Sequence, residues 1–353
     1  MNIETLVRPE ILSLQPYSCA KKEFNRAGDF ALLNANENAF NEPLNRYPDP
    51  SQFNLKEEII NVWQQKYPKI NAYQIFLGNG SDEAIDLVFR IFCIPEQDNV
   101  ISIEPSYGMY KVCANINGVK YNKVDLNKDF TLNADRVLAA VNKKTKVIFL
   151  CSPNNPSGNL LNRTEVLKII EGFSGIVVID EAYIDFSSEK SWLEELDNYS
   201  NIIVLQTFSK AWGLAAMRCG MAFANKEIIS FFNKVKYPYN LNQLTQNALY
   251  KFLRRNGAKK KDKWVEIITK QRKFLEKELG NISVVEKIYS SDANFLLVQF
   301  SGAENVYSYL EKNNIIVRNR CHEVENSLRI TIGTQKENKA LIQVLKNFTN
   351  QNK

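Results

Sequence analysis

Histidine is nearly missing from this chain: of 353 residues one is a histidine, His322. That scarcity leaves no room for a Ser-His-Asp triad, a histidine metal cluster or a histidine acid-base pair, so proton transfer needs another base. His322 itself lies in a polar loop segment and reads as solvent-facing. The six cysteines, Cys19, Cys93, Cys113, Cys151, Cys219 and Cys321, are far apart and include no C-x-x-C pair. Neither a zinc site nor a disulfide framework is indicated, no metal is expected, and a reducing cytoplasm suits free thiols best. No apolar run approaches the roughly 20 residues of a membrane span. The start, with Glu4 and Arg8-Pro9-Glu10, has no signal-peptide core. The expectation is a cytoplasmic protein with no membrane partner. Charge massed in one place is lacking too. The formal net charge is +6, with Lys and Arg interleaved among Asp and Glu, so no nucleic-acid partner is expected. The densest basic run, Lys259-Lys260-Lys261 with Lys263, reads as the solvated face of a helix start.

What is present is ordinary for a globular protein: 44% hydrophobic and 24% charged residues. Single cores stop growing near about 250–300 residues, so a chain of this length is expected to form two domains. Residues 1 to about 45 are irregular, punctuated by Arg8-Pro9, Gln15-Pro16-Tyr17 and Asn34-Ala35-Asn36-Glu37-Asn38, and read as an arm. Arg46-Tyr47-Pro48-Asp49-Pro50 is a stiff turn that holds Tyr47 on a corner. Ser51 is the candidate cap of a helix with Leu55, Ile59, Val62 and Trp63 on one face.

From residue 74 onward short apolar runs alternate with helical periodicity: Gln74–Leu77, Val100–Ile103, Val147–Cys151, Ile176–Ile179, Ile202–Leu205 and Met221–Ala224 read as strands. That alternation predicts an α/β fold with a mostly parallel sheet covered by helices. Past Tyr237-Pro238-Tyr239-Asn240 helical pattern dominates to Leu279. Strands at Asn294–Gln299, Ile315–Arg318 and Leu328–Ile332 then suggest a smaller α+β domain. The expected division is an arm at 1–28, a large domain at 29–242 and a small C-terminal domain at 243–353.

Ligands bind at the carboxyl ends of strands in such sheets, and here those ends carry chemistry. The first is followed by Gly78-Asn79-Gly80-Ser81-Asp82-Glu83, a glycine turn opening a helix, where backbone N–H groups suit an anion. The third glycine of a dinucleotide fingerprint is absent, as is G-K-[ST], and Ser81 and Asp82 serve equally as ordinary caps. The later ends supply Tyr107, an aromatic face; Asn154-Asn155 in a proline turn; Asp180-Glu181-Ala182-Tyr183; and Thr207-Phe208-Ser209-Lys210-Ala211-Trp212-Gly213-Leu214, with Arg218 beyond. A lysine flanked by Phe208, Trp212 and Leu214 is expected to be partly desolvated, which favours the nucleophilic amine. Thr207, Ser209 and Arg218 are donors suited to a phosphate. Each residue alone has a structural reading as turn former, cap or packing. Together, a carboxylate, an amide, two phenols, a lysine and an anion-binding helix start at one sheet edge make a cofactor pocket. Arg318 and Arg329, at strand positions of the small domain, are candidates for an anionic substrate.

The order and spacing of Pro16-Tyr17, Asn34-Ala35-Asn36-Glu37-Asn38, Arg46-Tyr47-Pro48-Asp49, Gly80-Ser81-Asp82-Glu83, Tyr107-Gly108-Met109-Tyr110, Asn154-Asn155-Pro156-Ser157-Gly158, Asp180-Glu181-Ala182-Tyr183, Phe208-Ser209-Lys210-Ala211 and Leu328-Arg329-Ile330-Thr331 resemble a known family. The chain is similar to the pyridoxal phosphate aminotransferases of the aspartate-aminotransferase-like fold, and within them to the histidinol-phosphate aminotransferases. Three positions depart from the family pattern, Ala39 for proline, Ser157 for threonine and Trp212-Gly213 after the lysine, and none removes a chemical group. The resemblance implies a sheet of seven-stranded type, pyridoxal 5'-phosphate as cofactor and a homodimer. It implies that Lys210 holds the cofactor and shuttles the proton, and that Asp180 keeps its ring nitrogen protonated. Asn155 and Tyr183 would bond the ring oxygen, and Tyr107 would stack on the ring. The backbone N–H groups of Ser81 and Asp82, with Thr207, Ser209 and Arg218, would hold the phosphate, joined by Tyr47 from a neighbouring subunit. Tyr17, Asn36, Arg318 and Arg329 would bind the substrate. The implied reaction exchanges the amine of histidinol phosphate with 2-oxoglutarate in histidine biosynthesis. Other amino-acid aminotransferases, aromatic ones among them, and decarboxylases of phosphorylated amino acids remain alternatives on the same fold.

Overall fold

A computed structural model of the chain describes residues 2–19 and 31–351. The expected boundary between 28 and 29 lies outside the described residues. The large sheet has seven strands: β1 Ile75–Asn79, β2 Asn99–Glu104, β3 Lys120–Asp125, β4 Thr145–Cys151, β5 Ile176–Asp180, β6 Ile202–Thr207 and β7 Cys219–Phe223, in spatial order β1-β7-β6-β5-β4-β2-β3. All pairings are parallel except those of β7, which runs antiparallel to both β1 and β6. The two-residue period decides what each face buries. Ile75, Leu77, Ile101, Ile103, Ile148, Leu150, Val177, Ile179, Ile202 and Val204 join one core, while Phe76, Val100, Val147, Phe149, Ile176, Val178, Ile203 and Leu205 join the other. Both faces are therefore covered, and the strands read as continuous apolar runs. β3 was not foreseen, because its sequence KYNKVD has the polar composition of an exposed edge.

The second sheet is antiparallel, with four strands: β8 Val285–Ile288, β9 Phe295–Phe300, β10 Arg318–Asn319 and β11 Ser327–Thr331, in order β10-β11-β9-β8. β8 is again a polar strand with no sequence signature, and β10 is shorter than expected. On β9 the period of two splits the residues between cores: Leu296, Val298 and Phe300 pack with Leu275, Leu328, Ile330 and Leu345, whereas Phe295 and Leu297 join the large-domain core. Arg329 alternates with Leu328 and Ile330, so its side chain leaves the small core and reaches Asn155 at the carboxyl end of the large sheet. Arg318 is its cross-strand partner and shares that face.

Helix starts differ from expectation in two places. The helix Phe53–Trp63 begins after Gln52, and the carboxylate that accepts its first N–H is Asp49 at 2.7 Å, with Ser51 bonded to the same carboxylate. In the helix Gly257–Leu279, Lys261 is largely buried against Asp185 at 2.9 Å and lies 5.3 Å from the Trp212 ring centre. The basic run is thus a solvated face only in part. No helix is long and apolar enough to cross a membrane among the described residues.

Candidate active site

The carboxyl ends of β1, β2, β4, β5 and β6 open on a cavity of about 160 Å³ lined by Gly80, Ser81, Asp82, Tyr107, Cys151, Asn155, Asp180, Ala182, Tyr183, Thr207, Ser209, Lys210, Ala215 and Arg218. Parallel strands bring these segments together despite their separation in sequence, since each strand end delivers one of them to the same edge.

One end of the cavity is the start of the helix Ser81–Phe92, where Gly80 occupies the N-cap and no side chain caps the first turn. Ser81 is the first helical residue and does not act as the cap. The leading N–H groups and the positive end of the helix dipole therefore face the cavity. Two glycines allow the approach. Gly80 has φ +75°, and a Cβ on it would lie 2.8 Å from Arg218 Nη2; a Cβ on Gly220 would lie 2.1 Å from the Ser81 nitrogen. Arg218, itself left-handed at φ 48°, accepts a hydrogen bond from Gly80 N–H through its carbonyl at 3.0 Å and brings its guanidinium to 3.7 Å from Asp82. Ser209 N–H donates to Thr207 Oγ1 at 3.1 Å, which fixes the turn leading to Lys210.

The opposite end is acidic and buried. Asp180 is 3% exposed, accepts hydrogen bonds from Tyr110 Oη at 2.7 Å and Ala182 N–H at 3.1 Å, and makes no ion pair among the described residues. Burial pushes its pKa up to about 6 against those two hydrogen bonds. Beside it, Glu181 takes Ser191 Oγ, Trp192 N–H and Gln206 Nε2, and burial raises it to about 7.

Lys210 stands at the mouth between these ends, its Nζ 5.5 Å from the Tyr183 ring centre. Its side chain keeps contact with solvent, yet burial is the leading influence that lowers its pKa, followed by the charge of Arg329. Phe208 and Trp212 do not supply that environment. They pack into the core against Trp63, with ring centres at 6.0 and 5.1 Å, and so anchor the turn rather than enclose the amine. The Asn154-Asn155 pair divides its work. Asn154 is fully buried and ties the loop together through the Pro105 carbonyl and the hydroxyls of Ser157 and Ser106, while Asn155 faces the cavity and accepts from Arg329 Nη1. Tyr107 lines the cavity and donates to Asp82 at 3.0 Å.

Four of the expected residues stand away from the cavity of their own chain. Tyr47 stacks on Tyr239, ring centres 4.5 Å apart, and lines a separate recess with Asn36. Tyr17 is 73% exposed, and Arg318 lines an outer recess with His322. Sequence reading missed Tyr110 and Arg320. Tyr110 sits in the first turn of the helix Met109–Ile116, three residues after the loop residue Tyr107, and that proximity to the end of β2 is the signal that could have found it. Arg320 carries no such signal.

The donor set suits pyridoxal phosphate: uncapped N–H groups with Arg218 and Ser209 for a phosphate, a buried carboxylate lacking a cation for a protonated ring nitrogen, and an amine of lowered pKa for a carbonyl carbon. Comparison with known proteins agrees. The family model described as aminotransferase class I and II matches residues 15–345. The histidinol-phosphate aminotransferase of Bacteroides thetaiotaomicron is 50% identical over 349 residues, 98% of this chain and 99% of the relative. The chain belongs to the histidinol-phosphate aminotransferase family. It is thereby a pyridoxal phosphate-dependent aminotransferase. Among solved structures, the histidinol-phosphate aminotransferase from Clostridium acetobutylicum superposes with a TM-score of 0.78 at 26% identity, covering 87% of this chain and 92% of that one. The one from Sinorhizobium meliloti, solved in complex with pyridoxal-5'-phosphate, shares the fold at a TM-score of 0.77 and 19% identity, covering 87% and 84%.

Proposed function

We propose that the protein exchanges the amino group of L-histidinol phosphate with 2-oxoglutarate, giving imidazole acetol phosphate and glutamate in histidine biosynthesis, as a cytoplasmic homodimer. The observation that carries this reading is the alignment, along one cavity, of an anion-binding helix start, the Lys210 amine and the buried Asp180, with Arg329 entering from the small domain. When bound, pyridoxal phosphate supplies an electron sink that lets the carbon bearing the substrate's amine give up its proton.

The chain's own residues do the rest. The N–H groups of Ser81 and Asp82, the hydroxyls of Thr207 and Ser209 and the Arg218 guanidinium hold the cofactor phosphate. Asp180 would hold a proton on the ring nitrogen, and a positive charge there would favour the carboxylate that burial disfavours. Tyr183, Asn155 and Tyr107 line the same cavity and would orient the cofactor ring. Lys210 Nζ would hold the cofactor, and as the free amine it would be the base that moves the proton at the substrate carbon, the task for which no histidine is at hand. Arg318 and Arg329, with Tyr17 and Asn36, receive the substrate's anionic group, and Arg329 the carboxylate of glutamate in the return half-reaction. Tyr47 completes the phosphate site of the partner subunit. Residues 29–242 form the cofactor domain and 243–353 the domain that brings the arginines.

The test is a half-reaction screen. The holoenzyme is mixed with histidinol phosphate, phenylalanine, aspartate or glutamate, and the visible cofactor band is followed. Histidinol phosphate and glutamate are expected to convert it and Lys210→Ala to abolish the response. Preference for phenylalanine, or release of carbon dioxide from a phosphorylated amino acid, replaces the reading with another activity on this fold.

A further inference from the structure

Three arginines share one face at the edge of the small sheet, where Arg329 reaches the cavity residue Asn155 and Arg318 lies on the outer rim. Arg318 and Arg329 are cross-strand partners, and Arg320 N–H donates to the Ser327 carbonyl at 3.0 Å, which extends the same ladder by one step and returns Arg320 to the face of Arg318. Arg318 is exposed on the rim, while the Arg320 side chain is only 15% exposed. Among the described residues, Arg320 is the one of the three with a carboxylate partner: its Nη1 lies 2.8 Å from Glu323 Oε1 across a tight turn. Even so, the Nε atoms of Arg320 and Arg329 are both buried without an acceptor, and so is Glu323 Oε2. Two guanidinium N–H groups are thus buried with no acceptor among the described residues, and the Arg320-Glu323 pair leaves atoms of both partners unsatisfied, a costly way merely to hold a turn. Arg320 is close enough to Arg329 and Tyr183 for its charge to act on both.

We propose that Arg320 is a third anion-binding arginine of the substrate pocket, held by Glu323 until substrate arrives, and that it favours a phosphate dianion over a carboxylate. The proposal rests on the reading that this edge receives the substrate's anion. Its physical basis is that the attraction of a guanidinium scales with the charge of its partner, so each added arginine gains about twice as much from a dianion as from a monoanion. Arg320 is therefore a specificity residue, and Glu323 a competitor for the same guanidinium.

Holoenzyme variants Arg320→Ala, Arg320→Lys and Glu323→Gln test it, with dissociation constants for histidinol phosphate and glutamate read from the cofactor band and inorganic phosphate tested as a competitor of glutamate. Arg320→Ala is expected to weaken histidinol phosphate and inorganic phosphate by about 10- to 100-fold and glutamate by the square root of that factor, about 3- to 10-fold. Arg320→Lys should fall between, because it keeps the charge and loses the fork. Glu323→Gln should tighten phosphate binding a few-fold. If the ion pair only pins the turn, Arg320→Ala and Glu323→Gln weaken all ligands in the same direction, and the proposal is overturned. An unchanged phosphate-to-glutamate ratio in Arg320→Ala overturns it as well. A wild type that ignores histidinol phosphate while binding inorganic phosphate refutes the substrate reading instead, and the variants then still decide on Arg320 through the phosphate constant.

Discussion

At Lys210 opposing influences meet: burial and the charges of Arg329 and Arg218 destabilise the ammonium, while Asp180 and Asp82 favour it. The lysine is thus sensitive to what neutralises each neighbour. In Asp180→Asn the shape is kept but no carboxylate remains to hold a ring proton. Turnover is expected to fall by roughly 10²- to 10⁴-fold, the usual worth of a positioned proton-transfer partner. Steady-state kinetics with the cofactor content measured alongside check this, and a variant retaining near-normal turnover would dismiss the role given to Asp180. Gly220 is the second residue-scale case. A methyl group there would meet the Ser81 nitrogen at 2.1 Å, so the helix start must retreat from the sheet. Gly220→Ala should cost about 1–3 kcal/mol of stability by overpacking and loosen cofactor binding together. Thermal unfolding with and without cofactor measures both, and an unchanged melting temperature would show that the contact relaxes freely.

The end of β5 presents two buried carboxylates in succession, and this makes the element pH-sensitive. Folded values near 6 for Asp180 and near 7 for Glu181 stand above the ordinary 3.8 and 4.5. The folded chain therefore binds more protons than the unfolded one between those limits, so the contribution of this pair to stability is fully present below about pH 4 and lost as pH rises through 6 and then 7. The loss is on the order of 3 kcal/mol for each group as an upper bound. Denaturant melts of cofactor-free protein between pH 5 and 8 should show the decline. Glu181→Gln should flatten its upper part, and added cofactor its lower part, by giving Asp180 a cation. A flat profile in the wild type would mean that water or rearrangement relieves the burial. These strands were legible because β4, β5 and β6 are buried on both faces and nearly all apolar, so a run of such residues followed by polar ones marks both the strand and its functional end. β3 and β8 were not, since KYNKVD and VEKI mix polar and apolar residues as edge strands and loops both do. The roles of Phe208 and Trp212 were misread for a related reason: sequence neighbours alternate in direction, and adjacency to Lys210 says nothing of which side they face. Arg320 was invisible because its place depends on a two-residue strand and the turn after it.

For the whole molecule, the arm leaves large apolar side chains in water, Leu33 at 91% exposed, Phe40 at 79% and Leu44 at 59%, and so does the segment at 237–244, with Tyr237 at 77% and Leu244 at 64%. Leu44 and Leu244 border the recess that holds Tyr47, Tyr239 and Asn36. Exposed apolar side chains gathered around one recess suit an interface, and self-association would place the same patch on both subunits. The proposed homodimer would account for the division seen in the chain: Lys210, Asp180 and Arg218 share one cavity, while Tyr47 lies outside it and would serve the other subunit's cavity. The arrangement predicts complementation. Lys210→Ala chains retain Tyr47 but have no amine; Tyr47→Ala chains retain the amine but lack the phenol their partner must receive. Each homodimer is expected to be inactive or strongly weakened. Unfolded, mixed in equal amounts and refolded, half of the dimers combine the two chains, and each of those has one site carrying both Lys210 and the other subunit's Tyr47. Activity should recover to about a quarter of the wild-type level if the two-fold arrangement holds. If Tyr47 acted within its own chain, no site in the mixture would contain both groups, and the refolded sample would stay at the level of the separate variants.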